Sequence, residues 1–232
     1  MWRGCDGRGQ PYAVPVSAQP ATRGELHWPP QLTILVAIGL QLLLPDRLQL
    51  SHWARWVIPG LEAAMLVALL IAAPSRIEEP HSARRRLALT TTALASLANG
   101  IALVQLSRYL LQHDTHTFGR ALVVAGAEIW LTNVLVFSLW YWEMDRGGPG
   151  RRAAGCDGTL DFLFPQMTET RLCPGWRPQF ADYLYVSLTN AAAFSPTDAM
   201  PLSVAAKMVM GLQSLISLVT IGLVVSRAVN IL

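Results

Sequence analysis

Hydrophobic positions along the chain gather into five continuous stretches. The first, Gln31 to Leu44, lies between Pro30 and Pro45 and reaches spanning length only by running on toward Leu50. The second covers Ala54 to Ala73, with Pro59 near its start and Pro74 closing it. A third runs from Leu87 to Leu111, a fourth from Ala121 to Trp142, and the last from Leu202 to about Val225. Crossing the hydrocarbon of a bilayer takes about 20 apolar residues in a helix. Because no stretch alternates in polarity, the pattern predicts helices rather than barrel strands, and helices satisfy their own backbone polar groups in lipid. Aromatic residues mark the borders: Trp53 and Trp56 open the second stretch, and Trp140, Tyr141 and Trp142 close the fourth. Such rings favour the headgroup level, where one edge is apolar and the other wet.

A sixth apolar run, Phe180 to Phe194, has 15 residues and is too short to cross comfortably. Ser195-Pro196-Thr197-Asp198 breaks it before the last helix begins. The natural reading is a re-entrant segment, buried against the other helices because irregular backbone cannot face lipid. The expected fold class is therefore all-α: an integral membrane helical bundle of about five transmembrane helices plus one short re-entrant, pore-helix-like segment. The organisation that follows is a disordered N-terminal tail over 1–30, a four-helix transmembrane region over 31–142 and a polar linker over 143–178. Residues 179–232 then hold the re-entrant helix and the last transmembrane helix. The linker opens Glu143-Met144-Asp145-Arg146-Gly147-Gly148-Pro149-Gly150, which cannot continue a helix.

Composition agrees with a chain that lacks a solvated skin. Hydrophobic residues make up 52% and charged residues only 14%, against about 25% charged in soluble domains. The 18 basic residues include a single lysine, Lys207, and are scattered rather than gathered on one face, so no nucleic-acid partner is expected. With five spans, 13 of them share the side of the N-terminal tail, the Arg76 to Arg86 loop and the linker. The positive-inside rule places that side in the cytoplasm, the Arg84-Arg85-Arg86 cluster carrying most weight. Localisation is thus the cell membrane, multi-pass, with the lipid bilayer as the first partner. Cys5, Cys156 and Cys173 form no C-x-x-C pair and have no histidine cluster beside them, which argues against zinc. Cys156 and Cys173 are incidental thiols, or a disulfide if their loop faces an oxidising compartment.

Polar residues within the apolar runs are the candidate functional groups. Glu62 and Glu128 lie near the middle of the second and fourth stretches. A charge at that depth costs roughly 2.5–3.5 kcal/mol on insertion scales, so such groups face the bundle interior or water. They are either a proton or cation relay or hydrogen-bonded ties between helices. Asn99 and Asn133 read as interhelical ties. In the last helix Gln213, Ser217, Thr220 and Arg227 share one face, which lines a pore or packs against a helix, and Gly222 with Ser226 offers a small-residue contact. His113-Asp114-Thr115-His116 reads as a solvated turn that lacks a third metal ligand. No G-x-S-x-G, H-E-x-x-H or Walker-type loop is present, so no enzyme, metal or cofactor is expected.

Two resemblances enter here. The order of short aromatic helix, Ser187-x-Thr189, break, Asp198-x-x-Pro201 and long helix is similar to the pore module of two-helix potassium-type channels. It implies a narrow path lined by Thr189, Asn190, Ser195, Thr197 and Asp198, with Gln213, Ser217 and Thr220 on the inner face. The filter itself departs from that pattern. No glycine occurs between Gly175 and Gly211, and a carbonyl-lined filter needs conformations that glycine reaches cheaply and alanine does not. Over more of the chain the layout resembles the DUF1345 family of bacterial membrane proteins. The residues carrying it are the arginine-rich loop, Leu160-Asp161-Phe162, the run Asp182-Tyr183-Leu184-Tyr185-Val186-Ser187-Leu188, and Ala228-Val229-Asn230-Ile231 near the end.

The expectation is a channel-like or transport-type membrane protein without a glycine filter for potassium, leaving room for a homo-oligomer and a small permeant ion. The alternative is a non-transporting scaffold or partner-binding membrane protein in which the short helix plugs the bundle.

Overall fold

The computed structural model describes residues 25–26, 28–43, 54–71, 76–77, 82–112, 119–153, 159–169, 171–192 and 199–229. These residues are mostly helical. Strand β1 (Glu25–Leu26) precedes α1 (Trp28–Leu43) and α2 (Ala54–Ile71); β2 (Arg76–Ile77) then leads into α3 (Ser82–Gln112) and α4 (Gly119–Met144). After a 3-10 turn at Asp145–Gly147 come α5 (Pro149–Ala153), β3 (Phe162–Leu163) and α6 (Pro165–Thr168), then α7 (Phe180–Ala192), β4 (Met200–Pro201) and α8 (Val204–Val229).

Three helical stretches are long and apolar enough to cross a membrane: Ala83–Leu110, Ala121–Gly147 and Val204–Ser226. The helices from the first two sequence stretches are shorter. At about 1.5 Å per residue, the 16 residues of α1 extend roughly 24 Å against a hydrocarbon core of about 30 Å.

Helix α4 is the hub and packs against α1, α3, α7 and α8. Of its apolar stretch 61% is buried, against 28% for α3 and 17% for α8, as an all-round apolar helix should be when neighbours enclose it. Close approach to α8 is made possible by Gly126, where a Cβ would strike Val224 Cγ2. On α8 the buried residues Ala206, Met210, Gln213, Ser217 and Thr220 recur at steps of four and three, so one stripe meets the bundle. Val204, Met208, Leu215 and Leu218 lie on the exposed remainder. A main core of Ile34, Leu66, Phe137, Tyr141, Phe162 and Tyr183, among others, sits toward the end of α4, and a smaller one around Leu106 and Ile129 toward its start.

The residues expected to form a linker end α4 and then fold back as a cap. Arg146, Gly147 and Gly148 all have positive φ (52°, 79° and 98°), a left-handed run that no helix continues. Gly148 is also crowded, since a Cβ there would lie 3.1 Å from the Glu143 carbonyl and 3.2 Å from Arg85 Nε. Strand β3 pairs antiparallel with β4, Phe162 opposite Pro201, and the Leu202 amide donates to the Asp161 carbonyl at 2.8 Å. The chain therefore enters the bundle from this cap along α7 and is back at the same cap by β4, immediately before α8. Buried Tyr183, Val186, Ser187 and Ala191 line the inner face of α7, while Tyr185 and Leu188 face outward.

Candidate functional site

Where α4, α7 and α8 meet, four of the polar residues picked out in the sequence, Asn133, Asn190, Gln213 and Ser217, come together in one hydrogen-bonded network. Gln213 is fully buried. Its Nε2 donates to the Ser187 carbonyl at 3.0 Å and to Ser187 Oγ at 2.7 Å, and its Oε1 accepts from Tyr141 and, at 2.8 Å, from Asn190 Nδ2. Asn190 Nδ2 also donates to the Met210 carbonyl at 3.0 Å, and its Oδ1 accepts from Ser214 at 3.1 Å. Ser187 Oγ donates to the Val134 carbonyl at 2.6 Å. One turn onward, Ser217 donates to the Ala191 carbonyl at 2.5 Å and accepts from Trp130 Nε1 at 2.7 Å. Asn133 Nδ2 reaches the Gln213 carbonyl at 3.4 Å. The arrangement carries no charge and fastens three helices together, in the manner of polar glue between membrane helices.

Thr189 and Thr220 stand apart from this network. Each hydroxyl turns back on its own helix, to the Tyr185 carbonyl at 2.8 Å and the Ile216 carbonyl at 2.8 Å. Ser195, Thr197 and Asp198, like the His113–His116 turn and Cys156, lie outside the described residues.

A second cluster, not assembled from the sequence, sits under the cap. Asp145, fully buried, accepts Tyr183 Oη at 2.6 Å on one oxygen. The other takes the amides of Asp161 at 3.1 Å and Phe162 at 3.4 Å. Asp161 in turn accepts the Arg146 amide at 3.1 Å. Arg152 caps the end of α4, donating at 2.7 Å to both the Trp142 and Asp145 carbonyls and lying 5.3 Å from the Tyr183 ring centre. A cation at a helix C-terminus meets the carbonyls that no further turn can satisfy. The aromatic close of α4 and Leu160-Asp161-Phe162 were both visible in the sequence; their meeting depends on the β3–β4 pair.

Glu62 and Glu128 are not joined by a hydrogen bond. Glu62 is fully buried, with one oxygen 3.5 Å from Gln41 Nε2 of α1 and the other without a partner. Glu128 is half-buried on α4 and also has one unpartnered oxygen. Near the cap, Arg85 lies 3.8 Å from the buried Glu143 carboxylate and donates to the Glu143 carbonyl at 3.3 Å. Beside this pair a narrow cleft opens between the cap-side ends of α1 to α4, lined by Gln31, Ile34, Leu69, Arg84, Ala88 and Trp142 among others. Among the described residues no three His, Cys, Asp or Glu side chains form a metal-binding group.

These features define a class: a helical protein with three helices able to cross a membrane, built around a buried neutral polar network. Beyond that class, no family model, no curated protein and no solved structure matches the chain.

Proposed function

We propose that the chain is a multi-pass protein of the cell membrane with five crossings, in which α7 is a plug and the molecule serves as a non-transporting scaffold or partner-binding protein. One observation carries this choice over a permeation pathway. Asn190, Gln213 and Ser217, the residues that a pore would present to ions, direct their polar atoms to Tyr141, Ser187, Ser214, Ala191 and Trp130. Removing such groups from one another to admit a hydrated ion would leave several buried donors and acceptors unpaired, at about 1–3 kcal/mol each. A permeation path offers its polar groups to the ion in place of water.

The test is flux. The purified chain in liposomes should pass monovalent cations, divalent cations and chloride no faster than protein-free vesicles do. Flux well above that background, lost when Asn190 and Asp198 are replaced together, would establish the channel reading instead.

A further inference from the structure

We propose that a polar layer buried between α1, α2, α3 and α4 binds one dehydrated monovalent cation of the size of sodium, with Glu62 as its countercharge. These four helices close a ring, each packing on the next and α4 returning to α1. Ile34, Leu69, Thr92 and Leu139, one residue from each, line the cleft at the cap end. Seven residues further from the cap, two turns on and so on the same faces, stand Gln41, Glu62, Asn99 and Thr132. The contact between Gln41 and Glu62 fixes this level for α1 and α2. Glu62, Asn99 and Thr132 are all buried. Between the two levels lie Ile38, Leu66, Ala95 and Val136, buried and apolar, which separate the polar layer from the cleft.

The layer is rich in oxygens and poor in bonds. Glu62 Oε2 has no hydrogen-bond partner among the described residues, and Oε1 has only the 3.5 Å contact with the Gln41 amide. A carboxylate at such depth calls for a positive partner. The arginines of these helices nearest the layer, Arg55, Arg86, Arg108 and Arg120, stand two turns or more along the chain from it. Turning the Gln41 amide over exchanges Nε2 for Oε1 and sets two oxygens against each other at that same separation. Neighbouring ligands of a hard cation, each bound at about 2.4 Å, are spaced by about 3.4 Å. Asn99 Oδ1 and Thr132 Oγ extend the set from the other two helices. One carboxylate balances one positive charge, whereas a divalent ion would leave a net charge inside the bundle. Glu128, one turn beyond Thr132 on α4 and half-buried, is the other acid of this region and stands outside the layer.

The experiment is thermal unfolding of the full chain in detergent at constant ionic strength, with N-methylglucamine chloride replaced stepwise by sodium chloride. The melting temperature should rise with sodium and then level off. Glu62→Gln should abolish that rise; in N-methylglucamine chloride alone the variant should match or exceed the parent chain, its buried charge being gone. Thr132→Val, which deletes one oxygen at nearly constant shape, should raise the sodium concentration at half effect. Glu128→Gln should leave the rise intact. Equal melting temperatures of the unaltered chain in the two salts would overturn the proposal, and so would a sodium effect that survives Glu62→Gln. Calcium acting more strongly than sodium would also overturn it, since that ion needs a second carboxylate. Should Glu62→Gln not fold, Thr132→Val and Asn99→Ala decide the matter, and an unchanged sodium response in both counts against the site. Binding is read here without flux, so its outcome is separate from the choice between scaffold and channel.

Discussion

At the residue scale, Asp145 is where the fold concentrates the most consequence in one side chain. Its carboxylate holds Tyr183 of α7 and the two amides that lead into β3, so one group fixes the end of α4, the start of α7 and the cap. Asp145→Asn keeps the size but removes the charge that strengthens these bonds, each worth about 1.5–3 kcal/mol when ionic. The expected result is a fall of several degrees in detergent melting temperature, with Tyr183→Phe alone costing about 1.5–3 kcal/mol. In the Asp145→Asn background Tyr183→Phe should add little, because the two share one bond; full additivity would show that they act separately. Glu62 is the contrasting case. Its partner is a weak 3.5 Å contact and one of its oxygens has none. Glu62→Gln preserves that contact and removes any charge, so stability should hold or rise by up to about 1 kcal/mol, read from thermal unfolding. A clear loss would mean that the ionised form is built into the fold. Both glutamates were conspicuous in the sequence because charge is scarce there. The partners of Asp145 were not, since the bonds that matter are to backbone amides 16 and 17 residues away, and only the folded β3–β4 pair delivers them.

At the element scale, legibility followed length and periodicity. Helices α3, α4 and α8 emerge from the sequence within a few residues of their observed ends, because long apolar runs flanked by charges or aromatics admit little else. The face of α8 was read from spacing, and Gln213, Ser217 and Thr220 do lie together on its buried stripe. What spacing cannot give is the chemistry of the opposing surface, so lining a pore and packing on a helix gave the same pattern. Among the described residues a Cβ at Gly222, read as half of a small-residue contact, would meet nothing within 4 Å. The glycine that governs packing is Gly126 on α4. Replacing Gly126 by Leu forces α8 outward or Val224 into a poor rotamer and should cost about 1–3 kcal/mol, with Gly222→Leu near neutral. Comparing the two variants by unfolding in detergent separates close approach from helix propensity, which the two changes share. Similar losses would place the crossing elsewhere.

At the scale of the whole molecule, the elements sort the charges into two ends. The cleft joins the start of α1, the end of α2, the start of α3 and the end of α4, and α7, β4 and the start of α8 rest on the same cap. Arg76, Arg84, Arg85, Arg86, Arg146, Arg151, Arg152, Arg171, Arg177 and Lys207 all fall at this end by position in the chain. At the opposite ends of the described helices stand Arg55, Arg108, Arg120 and Arg227. In a membrane-spanning chain an asymmetry of this size would favour placing the basic end in the cytoplasm. Cys173 is a free, half-buried thiol on the cap side and reports directly on that orientation. In intact cells expressing the chain with Cys5→Ser and Cys156→Ser, a membrane-impermeant thiol reagent should leave Cys173 unlabelled until the cells are lysed. Labelling before lysis would put the cap and its arginines outside. The short helix α7 would then enter from the side on which a channel re-entrant loop begins, and the permeation reading would gain on the scaffold. Protection makes α7 a plug inserted from the cytoplasm.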